Sequence, residues 1–435
     1  MVKKIEDFIF YLFLFSLPWQ TRVILFQTDW YFNEYKAGFL YGTDLLLIIL
    51  FLLWFWKQKI RFVKAEYLLI IFLFFSGLSL WSASVPKLGI YQFIKLFELI
   101  GLYFYASHYI WRRFHFKPAA WSIIAGAIFQ SLIAIIQFIK QSSLGLQLTG
   151  ESVIKSDYSG IAAFYNLYGH KIIRAYGTTP HPNVLAAYLL AVILGLYFYF
   201  FQKSLLKNES RLILLAYSVI LLGFFVTFSR IVILAWVVSM LAGCGIIWRQ
   251  RQQRKKIFTI LILTFFVSLG FILWRWPDIM NRVKISGQDE AVQLRIYFDK
   301  EALKTGTQHI NWLGIGLGNF VPWLMAHDPG YQRSFYQPAH NLYLLIYSEV
   351  GILSLVALLT FIFLLLKAFR YSLEDQWHGQ LWLGILLISF LFIGFFDHFF
   401  WTLQQGRLIF WLVIGFAASF AFQKNRLPWN INGKG

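Results

Sequence analysis

Pro338-Ala339-His340-Asn341-Leu342-Tyr343-Leu344-Leu345-Ile346-Tyr347-Ser348-Glu349-Val350-Gly351-Ile352 begins as the end of a polar loop and becomes an apolar run that continues to residue 366. A membrane-crossing helix needs about 20 mostly apolar residues, so this run reads as a transmembrane helix with His340 at its water-facing start. Glu349 follows two helical turns on, roughly 13 Å along the axis at 1.5 Å per residue. A neutral imidazole at a membrane surface is well placed to accept a proton near pH 7, which makes His340 the candidate centre of chemistry. The plainer alternative is that His340 or Asn341 simply caps the helix.

Working outward, the composition agrees with a membrane chain. Of 435 residues, 59% are hydrophobic and 20% aromatic, with 14% charged, which excludes an ordinary soluble domain. The net charge of +19 raises the question of nucleic acid. Lys and Arg fall in short clusters between apolar runs, however, so they mark topology and no nucleic-acid partner is expected. The single cysteine, Cys244, permits no disulfide within the chain. Met1-Val2-Lys3-Lys4 and the apolar residues after it resemble a signal peptide without a cleavage site, so an uncleaved first helix is expected.

Twelve segments have the required length and apolarity: 6–19, 40–56, 66–82, 90–110, 119–139, 183–201, 211–228, 231–248, 257–274, 341–366, 380–396 and 407–422. The fold class is therefore an all-α polytopic membrane protein of about 12 transmembrane helices, forming a single integral membrane domain over 1–435. One set of short loops, with both termini, holds more than half of the 39 basic residues. These include Lys57, Lys59, Arg61 and Lys64, then Arg112, Arg113 and Lys117, and the run from Arg249 to Lys256. The positive-inside rule then puts both termini in the cytoplasm. Two long loops, 140–182 and 275–340, face the other side. The second contains an amphipathic stretch, Val292 to Lys304, and reads as a partly helical extracytoplasmic cap.

Ionisable residues inside membrane segments are costly and by default mark sites. Asp44, Lys95, Glu98, Arg230, Glu349, Asp397 and Arg407 all fall near the outer surface, the pattern of an outward-facing polar cavity. Lys95 and Glu98, three apart, can neutralise one another, and Asp397 and Arg407 can tie two helices across a short turn. Arg230 sits in the tight hairpin Thr227-Phe228-Ser229-Arg230 with no acidic neighbour in sequence. Arg174 opens Arg174-Ala175-Tyr176-Gly177-Thr178-Thr179-Pro180-His181-Pro182-Asn183 just before a helix, where helix-start N–H groups can help bind an anion. Arg295 lies in the cap, four residues before Asp299. Leu313-Gly314-Ile315-Gly316-Leu317-Gly318-Asn319-Phe320 lacks the strand–helix surroundings of a dinucleotide site and reads as a tight turn bringing the cap onto the bundle. Arginine's donor fork suits diphosphate oxygens, and a base beside such a group is what transfer from a lipid diphosphate-linked sugar requires.

Taken in this order, Arg174 to Asn183, Ser229-Arg230, Leu294-Arg295, Gly314 to Phe320 and His340-Asn341-Leu342-Tyr343 through Gly351 resemble the O-antigen ligase and O-antigen polymerase family of bacterial membrane glycosyltransferases. The resemblance implies a GT-C-like enzyme of the bacterial inner membrane, inverting and free of metal or other cofactor. It would take glycan from undecaprenyl diphosphate at the periplasmic face. His340 would be the catalytic base and Arg174, Arg230 and Arg295 would bind the diphosphate, with Asn341, Glu349 and Asn183 in support. The acceptor stays open between lipid A core and another lipid-linked glycan, and no soluble domain for a protein acceptor is expected. A lipid-linked glycan flippase or transporter is the alternative of another class. A metal hydrolase using His309, His327, His340 and Asp328 is disfavoured because their spacing matches no ligand motif.

Overall fold

The computed structural model describes residues 2–55, 62–158, 160–202, 205–283, 290–306, 311–332, 335–372 and 378–422. The basic residues Lys57, Lys59, Arg61, Lys203, Lys424, Arg426 and Lys434, and also His309, lie outside them. Each of the twelve apolar segments holds a helix. In order the chain forms α1 (Val2–Ser16), α2 (Gly42–Phe55), α3 (Tyr67–Leu78), α4 (Pro86–Tyr105), α5 (Trp111–Arg113), α6 (Phe116–Lys140), α7 (Pro182–Phe200) and α8 (Lys207–Phe225). There follow α9 (Arg230–Trp248), α10 (Arg254–Val283), α11 (Glu290–Lys304), α12 (Phe320–His327), α13 (Leu342–Ser372), α14 (His378–Ile393), α15 (Phe399–Thr402) and α16 (Gln404–Ala421).

The protein is an all-α polytopic membrane protein. Among the described residues seven helices are long and apolar enough to cross a membrane, by length and composition. Helices α7 and α16 are buried along nearly their whole length, and α16 packs against α4, α7, α13 and α14. The core is aromatic, with Trp382, Trp411, Tyr197 and Tyr217 fully enclosed. Some polar atoms there pair with one another: the Tyr197 and Tyr217 hydroxyls lie 2.9 Å apart, and Tyr217 reaches Thr264 at 2.6 Å. In hydrocarbon an unpaired hydroxyl would cost several kcal/mol. Outward-facing Leu45, Ile48, Phe265, Phe266 and Leu273 are exposed, as a lipid-facing surface requires.

The loops depart from simple coil. Residues between α1 and α2 form an antiparallel hairpin of β1 (Arg22–Gln27) and β2 (Ala37–Tyr41), so α2 begins at Gly42 and not at 40. The loop 140–182 carries a second hairpin, β3 (Ala163–Tyr165) with β4 (Lys171–Ile173). The loop 275–340 is partly helical, as expected, with α11 and α12 in it. Its first part continues α10 through a kink at Arg275, where φ is −120°, past Pro277 to Val283.

The long helix α13 is broken at Gly351 (φ 78°, ψ 175°). A break leaves carbonyls without intrahelical donors. Here Ser348 and Glu349 carbonyls accept from Ile315 N (2.9 Å) and Gly316 N (3.0 Å), and Ile352 N donates to the Asn311 carbonyl (2.8 Å). The backbones approach so closely that a Cβ on Gly314 would stand 2.1 Å from the Glu349 carbonyl oxygen, and one on Gly351 2.3 Å from that of Trp312. The glycine run thus fastens the cap to the bundle.

Candidate active site

One polar cavity gathers residues that are scattered along the chain. It holds about 390 Å³ of empty space, mouth included, and is lined by Arg174, Arg230, Arg282, Arg295, Asn183, Ser229 and Asp397. Arg174 follows β4 and is buried; its Nε donates to the Thr227 carbonyl (2.7 Å) and its Nη2 to Asn183 Oδ1 (2.5 Å). That carbonyl belongs to the turn before α9, where Phe228 takes a left-handed conformation (φ 48°), unusual for a bulky residue. The same turn delivers Arg230 to the cavity at the first position of α9. Arg295 comes from α11, and Arg282 from the last turn of α10 beyond its kink.

Asn183, in the first turn of α7, is the hub. Its Oδ1 also accepts from the Ser229 hydroxyl (2.9 Å), and its Nδ2 donates to Asp397 Oδ2 (2.6 Å). Four guanidinium groups therefore face one carboxylate among the lining residues. Burial and the nearby Arg282 pull Arg174 down to about 9, so it stays cationic at neutral pH while its charge lacks full compensation. Such a cavity favours an anion with several oxygens.

His340 stands at the edge of this cluster, in the loop just before α13. Asn341, and not His340, caps the helix: its Oδ1 accepts from the N–H groups of Tyr343 (3.0 Å) and Leu344 (3.1 Å). The Asn341 N–H in turn donates to Asp299 Oδ1 (3.1 Å), so a carboxylate on α11 holds the histidine loop. Burial raises the Asp299 carboxyl against the opposing pull of those N–H bonds and of Arg295. The His340 ring lies 5.0 Å from that of His398. Ligand-type atoms of His340, Asp397 and His398 all fall within 4.8 Å of one another, a spacing at which a metal ion is sterically possible.

His340 Nδ1 is buried and has no hydrogen-bond partner among the described residues. A buried nitrogen without a partner costs free energy, which a ligand hydroxyl donating to it would offset. Burial, with His398 and Arg295, lowers the His340 imidazole to about 3, and His398 to about 4. Both are neutral at pH 7. Burial alone would raise the Asp397 carboxyl, but His398, His340 and His181, which charge in the acid range where it titrates, together with Arg295 outweigh it, so the group is ionised at neutral pH.

The structure brings Arg174, Arg230, Arg295, Asn183 and His340 together. Glu349 is not among the residues lining the arginine cavity: its carboxylate accepts from Trp401 Nε1 (2.7 Å) and the Phe320 N–H (3.4 Å). The expected tie between Asp397 and Arg407 is replaced by separate duties. Asp397 belongs to the arginine cavity, whereas Arg407 donates to Gln92 Oε1 (2.7 Å) and to the Trp401 carbonyl. Lys95 does pair with Glu98 (3.2 Å), and with Asp44 as well. His327 stacks on Trp323 at 4.3 Å and Asp328 accepts from the Tyr297 hydroxyl (2.6 Å). Sequence reasoning missed Arg282, hidden in a supposed loop after Pro277, and His398. The pair Asp397-His398 did carry a signal, two titratable residues side by side between apolar helices.

Compared with known families, residues 213–359 match the model described as O-Antigen ligase. That stretch contains Arg230, Arg295, Asp299, His340 and Glu349; Arg174, Asn183 and Asp397 lie outside it. No curated protein matches the chain.

Proposed function

We propose that the chain is a glycosyltransferase of the O-antigen ligase family, whose model residues 213–359 match, and that it transfers glycan from undecaprenyl diphosphate to the lipid A core at the periplasmic face of the bacterial inner membrane. The observation that carries this reading is the convergence of Arg174, Arg230, Arg282 and Arg295 on one cavity beside the unpartnered His340 Nδ1.

The arginines bind the donor's diphosphate, and Asn183 sets the Arg174 fork through its 2.5 Å bond. His340, neutral and held in place through Asn341 and Asp299, takes the proton of an acceptor hydroxyl. The acceptor oxygen bonds to the anomeric carbon as the carbon–oxygen bond to the diphosphate breaks. The electron pair leaves with the diphosphate, whose growing charge the guanidinium groups stabilise. Because attack and departure occur on opposite faces, configuration inverts. Asp397 stabilises the imidazolium so formed, and donor and acceptor exchange without a metal.

The test is an assay of purified protein in nanodiscs with labelled undecaprenyl diphosphate-linked glycan, alone and with lipid A core. Product that requires the core identifies a ligase; longer glycan chains from donor alone identify a polymerase of the same family. Labelled lipid crossing vesicles with no new glycosidic bond overturns the enzyme reading. His340→Ala is expected to insert and fold normally and to form no product.

A further inference from the structure

A second polar cavity differs from the first in charge. It holds about 380 Å³ of empty space, mouth included, and its lining includes Glu34, Tyr35, Gln92, Glu349, Trp401 and Arg407. One guanidinium here meets two carboxylates, of which Glu34 is already paired with Arg22, against four and one in the arginine cavity. The charges balance, so a diphosphate finds no excess of cations here. The groups instead alternate donors and acceptors around two aromatic side chains, the surroundings in which neutral polyhydroxylated rings are held.

These groups are fixed in advance. Glu349 is held by the Trp401 indole (2.7 Å) and Arg407 by Gln92 (2.7 Å). The wall is closed by Gly318, whose φ of 71° lets the cap turn descend until a Cβ there would stand 2.5 Å from Gln92 Cγ.

Adjacent residues tie the two histidines to both cavities. Asp397 lines the first; His398, the next residue, contacts Thr402 Oγ1 at 2.7 Å, and Thr402 lines the second. Pro338 also lines the second, two residues before His340. Tyr35 meets the His398 ring edge-on at 5.6 Å. A base tied to both an anion cavity and a neutral polar cavity has a donor side and an acceptor side.

We propose that the second cavity is the acceptor subsite, holding a neutral sugar residue of the acceptor glycan so that one of its hydroxyls reaches His340 while the lipid-linked donor occupies the arginine cavity. This rests on the glycosyltransferase reading above. In the transfer, the acceptor O–H proton passes to His340 and its oxygen takes the anomeric carbon. The diphosphate departs with the electron pair on the other side.

The test uses full-length protein in nanodiscs, with the donor and whichever acceptor the wild type uses, and measures each substrate's KM separately. Val321→Phe puts a ring into the cavity without removing a polar group, since Val321 lines it and is buried. Tyr35→Phe removes one hydroxyl and keeps the shape. Acceptor KM is expected to rise about tenfold or more for Val321→Phe and about threefold to tenfold for Tyr35→Phe, the range of one lost hydrogen bond, with donor KM within about twofold of wild type. Arg230→Ala should show the opposite split. Unchanged acceptor KM in both variants, or donor KM rising in step with it, overturns the subsite; if Val321→Phe fails to fold, Tyr35→Phe decides alone. A wild type that makes no glycosidic bond overturns the functional reading itself, and the subsite with it.

Discussion

Asn183→Ala tests the organisation of the arginine cavity, because this one amide joins three elements. It accepts from Arg174 (2.5 Å) and Ser229 (2.9 Å) and donates to Asp397 (2.6 Å). Two of these bonds involve charged partners, each worth about 1.5–3 kcal/mol, and the third about 1 kcal/mol. Truncation leaves a guanidinium and a carboxylate in a buried site without that partner. The two can approach one another or take up water, which offsets part of the loss, so about 2–3 kcal/mol should appear as lost transition-state stabilisation. At about 1.4 kcal/mol per factor of ten, kcat/KM for the donor falls roughly 30- to 150-fold. The assay is steady-state transfer in nanodiscs with donor varied at saturating acceptor, alongside thermal unfolding followed by tryptophan fluorescence. Asn183→Asp keeps both acceptor bonds but opposes a second carboxylate to Asp397, so it should be at least as damaging. Wild-type kcat/KM in a folded Asn183→Ala protein would refute the reasoning, because the network would then not position Arg174.

Other outcomes follow from the same geometry. Gly351→Ala forces a Cβ toward the Trp312 carbonyl at a φ of 78°, and should destabilise by about 2–4 kcal/mol, read as a lowered melting temperature with cap mobility increased in hydrogen exchange. His340 sits at about 3, below the ordinary 6.5, so it is neutral above that value and loses base function only as pH falls toward it. The acid limb of donor kcat/KM is therefore expected well below pH 6, and a midpoint near the unperturbed imidazole value of about 6.5 would contradict this placement. Excess chelator should leave transfer unchanged even though His340, Asp397 and His398 lie within 4.8 Å of one another; loss of activity restored by a divalent ion would assign them to a metal instead.

Much of the architecture was legible in the sequence, since a bilayer imposes a length and an apolarity on every crossing segment. Each of the twelve runs holds a helix, and the cap's amphipathic stretch is α11. What escaped were details that apolarity does not encode. The β1–β2 hairpin sits in a stretch too short and mixed to announce pairing, and α10 runs past Arg275 and Pro277, residues that read as a helix end. That second error hid Arg282, which lies on helix and not in loose loop. The sequence leaves open whether His340 or Asn341 caps the helix, and the bonds of Asn341 to Tyr343 and Leu344 make it the cap.

The sequence alone determined that this chain lives in a membrane, where its helices lie, and that cationic and titratable residues cluster near the ends of its apolar segments. Tertiary structure decided which of them meet. Arg174, Arg230, Arg282, Arg295 and Asp397 come from five separate places in the chain and converge on one cavity, while Glu349, only nine residues from His340, faces another. The cost of a charge in hydrocarbon confines such residues to helix ends, and that constraint is visible one segment at a time. Which ends become neighbours depends on how helices pack and on a broken helix at Gly351 that seats the cap. Those are long-range contacts, and no local pattern of residues records them.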